Sequence, residues 1–147
     1  MKISVTKFTI WVNRFLAAVM VALVPGLPAF ARWYAALRPF LSADAHRAII
    51  TGFYCSAPAV FLALWKLDVL LRNILARRVF VQANVTAIST VRWCCLAVAT
   101  ICLPAAVFYP PLIFMTIMMG FLTLILSVLV SVMAAAVEIR EENDLTV

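Results

Sequence analysis

Four long apolar runs occupy most of this chain and limit what it can fold into. They lie at residues 8–30, 49–65, 93–109 and 112–137, and the last three contain no Asp, Glu, Lys or Arg. A helix needs roughly 20 apolar residues to cross the hydrocarbon core of a membrane. Because hydrocarbon offers no hydrogen-bond partners, segments that cross it must pair their own amides. The sequence therefore predicts an all-α protein, a four-helix transmembrane bundle with short connectors.

Composition supports a single membrane domain. The chain has 147 residues, of which 67% are hydrophobic and 12% are charged, whereas about 25% of the residues of a soluble domain are charged. The predicted spans, at about 8–30, 49–70, 88–109 and 112–137, use up the length. The net charge of +6 is spread along connectors beside spans, without the interleaved aromatic residues of a single-strand binder. We therefore expect the lipid bilayer as a partner and no direct nucleic acid binding.

The Lys and Arg residues are distributed unequally between the two sides that these spans define. With the N-terminus in the cytoplasm, the nine cytoplasmic ones are Lys2, Lys7, Arg14, Lys66, Arg72, Arg77, Arg78, Arg92 and Arg140. The three outer ones are Arg32, Arg38 and Arg47. Short cytoplasmic loops carry an excess of basic residues. We therefore expect a multi-pass protein of the cytoplasmic (inner) membrane, with both termini in the cytoplasm.

Tryptophans agree with these boundaries, because indole rings prefer the headgroup zone. Trp11, Trp65 and Trp93 mark inner ends, and Trp33 marks an outer end.

The first run has two interpretations. Asn13 and Arg14 interrupt it, and the segment up to residues 29–31 also resembles a secretory signal with a small-x-small cleavage site. A retained helix is the alternative, with Arg14 snorkelling to the inner surface. We expect the helix to be retained.

The second helix is predicted to start near Ala45, after a start signal at Ser42 and Asp44. Apolar residues continue past Trp65 at helical spacing, which predicts an amphipathic extension into the cytoplasm. Residues 80–83 are predicted to form the turn, and Asn84 is predicted to be the N-cap of the third helix.

The fourth run carries a stripe of small residues: Gly120, Thr123, Ser127, Ser131 and Ala134. Small residues let helix backbones approach closely, and hydroxyl groups can bond across to a neighbouring helix. The stripe is expected to serve packing within the chain. The alternative is a homo-oligomer through the fourth helix.

No pattern of catalytic residues is visible. The four cysteines, at 55, 94, 95 and 102, form no C-x-x-C pair, and His46 is the only histidine. The predicted membrane interior contains no carboxylate for proton coupling, since Asp68 lies beyond the second apolar run, which ends at Trp65. We therefore expect no enzyme activity and no catalytic, cofactor or metal site.

Opposite charges are concentrated at the predicted cytoplasmic face. The basic connector, residues 66–92, has five bases and one acid, net +4, and the acidic tail, residues 138–147, has four acids and one base, net −3. We predict that the tail docks on the connector or competes with a partner for it; the alternative is that the connector binds anionic lipid. The predicted interaction surface comprises Arg72, Arg77, Arg78, Asn84, Arg92, Glu141, Glu142 and Asp144.

Two stretches resemble a known family. The first contains Leu71-Arg72-Asn73-Ile74, Phe80, Asn84-Val85 and Arg92, and the second is the closing Glu141-Glu142-Asn143-Asp144-Leu145-Thr146-Val147. Together they are similar to a bacterial four-span membrane protein family catalogued as domain of unknown function 2975. The sequence departs from the family pattern around Arg92, where Val91 precedes and Trp93 follows. The resemblance implies a cytosolic helix-turn-helix regulator as a partner, because genes for the two are often neighbours.

The sequence as a whole favours a non-enzymatic regulatory or interaction protein of the membrane. The alternative is a small transporter or pore, assembled as an oligomer through the fourth helix.

Overall fold

Four long α-helices make up the protein. The structure, a computed structural model, describes residues 2–37 and 42–145, apart from the side chains of residues 2–4, 35 and 144. The helices are α1 (Lys2–Leu37), α2 (Ala43–Leu75), α3 (Gln82–Phe108) and α4 (Leu112–Leu145), and the described ranges contain no strand. The prediction of an all-α four-helix bundle is confirmed.

Each helix contains a segment that is long and apolar enough to cross a membrane. These segments are Val5–Tyr34, Ala43–Leu75, Gln82–Phe108 and Leu112–Asn143. The chain is therefore a multi-pass helical membrane protein, with its helix length exceeding what a single bilayer crossing requires.

The helices pack in chain order. Within the described ranges α1 packs on α2, α2 on α3 and α3 on α4, and the backbones of other helix pairs do not approach closely. The helices α1 and α4 therefore have one helical neighbour each in the described chain, and grooves between consecutive helices remain open along the outside of the bundle.

Two contacts identify one end of the bundle. The Asn13 side chain on α1 contacts the Leu64 carbonyl on α2, and the Arg140 guanidinium on α4 contacts the Phe80 carbonyl. The start of α1, the loop at residues 76–81 and the end of α4 therefore lie together. We call this the loop end.

The opposite end contains the short link between α3 and α4 at residues 109–111. There the hydroxyl groups of Tyr34 and Tyr109 are hydrogen-bonded at 3.2 Å, which connects the end of α1 to this link. We call this the turn end.

The helix-start signal before α2 is confirmed. The Ser42 hydroxyl oxygen accepts a hydrogen bond from the Ala45 amide at 3.1 Å, and α2 begins at Ala43, two residues before the predicted start. Such an N-cap pairs one of the amides that have no partner within the helix. At its other end α2 continues to Leu75, which confirms the predicted extension past Trp65.

The prediction that Asn84 is the N-cap of α3 is wrong. The helix starts at Gln82, after Val81, which has an extended backbone and makes no side-chain cap bond. Asn84 lies one turn inside, where burial favours hydrogen bonds with the preceding loop over the helix's own first amides. The connecting loop is therefore residues 76–81 instead of 80–83.

The small residues of α4 lie mostly on its covered face. Gly120, Thr123, Ser127 and Ala134 are half-buried, while Ser131 is exposed. Because α3 is the helix that packs on α4 within the described ranges, this face lies against α3, which supports the expected packing within the chain.

The hydroxyl groups of this stripe bond within α4. Thr123 donates to the Met119 carbonyl at 2.8 Å, and Ser127 donates to the Thr123 carbonyl at 2.7 Å. These two hydroxyl groups therefore do not bond across to another described helix. A carbonyl four residues earlier is always within reach of a helical Ser or Thr.

We predict that Gly120→Ala raises the free energy of unfolding by about 0.5–1 kcal/mol, because alanine loses less backbone entropy in a helix. An added Cβ would meet no heavy atom within 4 Å. Reversible unfolding in mixed detergent–SDS micelles measures the change. A loss of stability that depends on protein concentration would instead indicate a close contact between copies at α4.

Candidate functional site

Asn84 fixes the geometry of the loop end. Its side chain is fully buried, with 0% exposure. The amide nitrogen donates to the carbonyls of Arg78 and Val79, both at 2.8 Å, and the amide oxygen accepts from Asn73 Nδ2 at 2.7 Å. One side chain of α3 therefore binds both the loop and the last turn of α2. The expected structural role of Asn84 is thus supported by its contacts.

The loop begins with a Schellman turn at the end of α2. The Arg78 amide donates to the Asn73 carbonyl at 2.9 Å, and the Arg77 amide donates to the Ile74 carbonyl at 3.0 Å. This turn requires a left-handed residue, usually glycine, directly after the helix cap. Here that residue is Arg77, with a φ of 59°, although a non-glycine residue costs about 1 kcal/mol in this conformation.

The structure brings together only some of the predicted surface residues. Arg77 and Arg78 are both exposed on the loop. Arg92 lies ten residues into α3, roughly 15 Å along the helix from Gln82. There its guanidinium lies 5.4 Å from the centre of the Trp93 ring. At that distance along α3, Arg92 does not belong to the loop surface.

The tail is a continuation of α4. The helix extends to Leu145, and Arg140 Nη1 donates to the Phe80 carbonyl of the loop at 3.4 Å. Glu141 and Glu142 are exposed one turn or less beyond Arg140. The side chain of Asp144 lies outside the described residues. The tail helix therefore lies beside the loop, and the contact at Arg140 is one between a basic side chain and a backbone carbonyl.

A second polar cluster, between α1 and α2, was missed by the sequence reasoning. Asp68 is 9% exposed, and its carboxylate forms ion pairs with two arginines. Arg72 Nη2 lies 2.5 Å from one oxygen, and Arg14 Nε lies 3.4 Å from the other. The sequence placed Arg14 as a snorkelling residue and Asp68 as a residue beyond the second span. Both lie three residues after an interfacial tryptophan, Trp11 or Trp65, and that shared spacing is the signal that would have paired them.

Asn13 adds a polar group to the same helix pair. Asn13 is 4% exposed, and its side-chain amide nitrogen donates to the Leu64 carbonyl at 3.1 Å. Its amide oxygen is buried and has no hydrogen-bond partner among the residues that the structure describes. A buried oxygen without a donor typically costs about 1–3 kcal/mol.

The cysteines and the histidine are dispersed. Cys94 and Cys102 are buried, Cys55 is exposed, and the cysteines are free thiols. His46 lies in the first turn of α2 and lines a cavity of about 230 Å³ at the turn end. The described part of the chain contains no group of three or more His, Cys, Asp or Glu side chains that could hold a metal ion.

These features define a multi-pass helical membrane protein whose polar contacts concentrate at one end. The sequence profile of a family described as "Protein of unknown function (DUF2975)" matches residues 15–147. The chain belongs to this family, and the resemblance seen in the connector and the tail is confirmed. No curated protein matches the chain, and no solved structure matches it.

We predict that Asn84→Ala lowers the free energy of unfolding by about 2–3 kcal/mol, because it leaves two carbonyls and one amide without their partner. It should also expose the loop, so that trypsin cleaves after Arg77 and Arg78 faster than in the wild type. Unfolding in mixed micelles and timed proteolysis in mild detergent provide the two measurements.

Gln82→Ala is the matched control, because Gln82 is exposed in the first turn of the same helix. Its proteolysis rate should equal that of the wild type. Equal rates for Asn84→Ala as well would show that the side chain does not hold the loop.

Proposed function

We propose that this membrane protein is a non-enzymatic regulatory or interaction protein, and that its loop end is a binding surface for a cytoplasmic partner. The observation that carries the proposal is the hydrogen-bonding of Asn84, which holds a loop with two exposed arginines in one conformation. A rigid loop loses less entropy when a partner binds than a flexible one does.

The charge distribution supports a selective surface. Arg77 and Arg78 lie on the loop, and Glu141 and Glu142 are exposed on the neighbouring tail helix. Positive and negative groups side by side favour a partner with the complementary arrangement and disfavour others. The Arg140 contact with the Phe80 carbonyl supports the expected docking of the tail beside the loop.

The contacts narrow the set of residues that we propose for binding. Arg72 lies in the cluster with Asp68 between α1 and α2, and Arg92 lies ten residues into α3 beside Trp93, so neither is part of the loop surface. The surface that we retain comprises Arg77, Arg78, Glu141, Glu142 and Asp144. Asn84 acts as a positioning residue, since its buried side chain donates hydrogen bonds to two loop carbonyls and is not exposed at the surface.

The left-handed conformation of Arg77 agrees with this proposal. Glycine would fit the Schellman turn with less strain, so stability alone does not account for arginine at this position. A residue kept in a sparsely populated conformation is a reason to suspect a functional role.

We also propose that the protein lies in the cytoplasmic membrane of a bacterium with the loop end inside. Basic residues favour this orientation, since the loop end contains Arg77, Arg78 and Arg140. The ion pair of Arg14 with Asp68 lies near the same end. The contacts of Asn13 and Arg14 with α2 favour a retained α1, because cleavage near residue 31 would remove both.

We expect a reporter enzyme that is active only in the periplasm to be inactive when fused at position 80 and active when fused at position 111. The two positions lie at opposite ends of the bundle. Comparable expression of both fusions, measured by immunoblotting, is the control. The reverse activities would show that the orientation is inverted.

For the partner we propose a small cytosolic helix-turn-helix regulator, as the family resemblance implies. The test is affinity capture of the detergent-solubilised protein from its own cells, which should retain a helix-turn-helix regulator. We predict that Arg77→Gly weakens the affinity for the regulator by about 10- to 100-fold, since one charge-assisted contact contributes about 1.5–3 kcal/mol. The same change should leave stability unchanged or raise it by up to about 1 kcal/mol, because glycine suits the left-handed conformation.

Arg47→Gln provides a control at the turn end that removes one positive charge without placing glycine in a helix, since Arg47 is exposed in the second turn of α2. This variant should bind the regulator as the wild type does. Equal loss in both variants would indicate a non-specific effect of charge, and unchanged binding in Arg77→Gly would exclude the loop as the contact.

A further inference from the structure

A groove between α1 and α2 combines a charged end with an apolar body. Its volume is about 400 Å³. The charged end contains Arg14, Asp68 and Arg72. The apolar body is formed by Ala17, Ala18, Val21, Phe61 and Leu64. We propose that this groove is a binding site for one anionic glycerophospholipid, with its phosphate at the two arginines and one acyl chain along the apolar body.

The charge of the cluster favours an anion. Two guanidinium groups share the single carboxylate of Asp68, so the cluster has a net charge of +1. The side chains of Arg14 and Arg72 remain 60% and 61% exposed, whereas that of Asp68 is 12% exposed. The positive groups are therefore accessible and the negative group is covered. Guanidinium groups bind phosphate oxygens through paired N–H donors, and each has five N–H groups, so donors remain besides those directed at Asp68.

The position of the cluster relative to the apolar segments favours a lipid over a free phosphate. Asp68 lies three residues beyond Trp65, roughly 4.5 Å along α2, and Trp65 is 67% exposed beside the groove. An exposed tryptophan at the end of an apolar run marks the headgroup level of a bilayer. The charged end of the groove therefore lies where lipid phosphates lie, and the apolar body extends into the hydrocarbon.

Small side chains keep the groove open. Ala17 and Ala18 occupy the α1 wall, where longer side chains would fill the space against Phe61 of α2. Since α1 packs on α2 alone within the described ranges, no other described helix covers this groove. An acyl chain can therefore enter from the membrane without displacing a helix.

One polar atom of the groove has no hydrogen-bond partner among the described residues. The buried amide oxygen of Asn13, which lines the same groove, has no donor among the described residues. Buried acceptors are normally paired by protein or ordered water. The groove therefore contains, close to its cationic groups, a buried acceptor without a donor in the described chain.

The test is a lipid titration of the full-length protein in mild detergent, followed by native mass spectrometry. The probes are phosphatidylglycerol, phosphatidylcholine with the same acyl chains, and glycerol phosphate. We expect one phosphatidylglycerol per chain at saturation, with weaker binding of phosphatidylcholine and no retention of glycerol phosphate. Equal binding of the two lipids would overturn the proposal, and binding of glycerol phosphate as tight as that of phosphatidylglycerol would show that the ligand is a free phosphate.

Two sets of variants locate the site. Arg14→Gln with Arg72→Gln should weaken phosphatidylglycerol binding by about tenfold or more, as expected for losing charge-assisted hydrogen bonds. Arg77→Gln with Arg78→Gln removes the same charge from the loop and should change the affinity by less than about twofold, since exposed charges are screened. The reverse order of effects would assign lipid binding to the loop and overturn the proposal.

The double variant Arg14→Gln with Arg72→Gln leaves the Asp68 carboxylate without its paired cations. Two further variants test the site without this side effect. Ala18→Phe fills the apolar body with all charges intact, and it should weaken phosphatidylglycerol binding while circular dichroism stays unchanged. Asp68→Asn releases both guanidinium groups and should tighten binding of phosphatidylglycerol and leave that of phosphatidylcholine unchanged. Unchanged affinity in both variants would show that the cluster only joins α1 to α2.

Discussion

Hydrocarbon cannot form hydrogen bonds with a peptide group, and this constraint underlies the whole structure of the chain. It requires the apolar runs to be helices, and the helices have 36, 33, 27 and 34 residues. A crossing takes about 20 residues, so the excess length requires the helices to tilt or to project beyond the bilayer. The same constraint concentrates the polar contacts near the ends of the bundle.

The few polar side chains determine where the helices meet. Asn84 joins α3 to the end of α2, and Asp68 joins α2 to α1. At the turn end, the Tyr34–Tyr109 hydrogen bond joins α1 to the link between α3 and α4. Between these contacts the buried residues are mainly small or of moderate size; the alanines among them are Ala31, Ala45, Ala57, Ala87, Ala99 and Ala105. Lipid tails are as apolar as these side chains, so close packing of small residues is what holds membrane helices together.

The serial packing of the helices connects the two proposals. Because α1 has a single helical neighbour in the described chain, the groove between α1 and α2 beside Asp68 stays open to lipid. Because α3 packs on α2, the Asn84 side chain reaches the loop that follows α2. Both surfaces are built on the last turns of α2. The Arg72 carbonyl accepts the amide of Ala76 at the helix cap, so the proposed lipid site and the proposed partner site share one continuous segment of backbone. Their residues nevertheless differ, which lets charge variants separate them.

The sequence by itself determined the number of helices, their approximate limits, the extension of α2 and the start signal at Ser42, because these follow from local hydropathy and capping. It also predicted a basic connector and an acidic tail at one end of the bundle, and in the structure Arg140 of the tail contacts the Phe80 carbonyl of the connector. Only the tertiary structure decided that Asn84 holds the loop instead of capping α3, that Arg77 adopts a left-handed conformation, and that Arg14 pairs with Asp68. The contacts of Asn84 and of Arg14 depend on distances between helices, and hydrophobic periodicity records which face of a helix is apolar without recording which helix lies against it. The conformation of Arg77 is local to the end of α2, and the sequence did not indicate it because no glycine marks the turn.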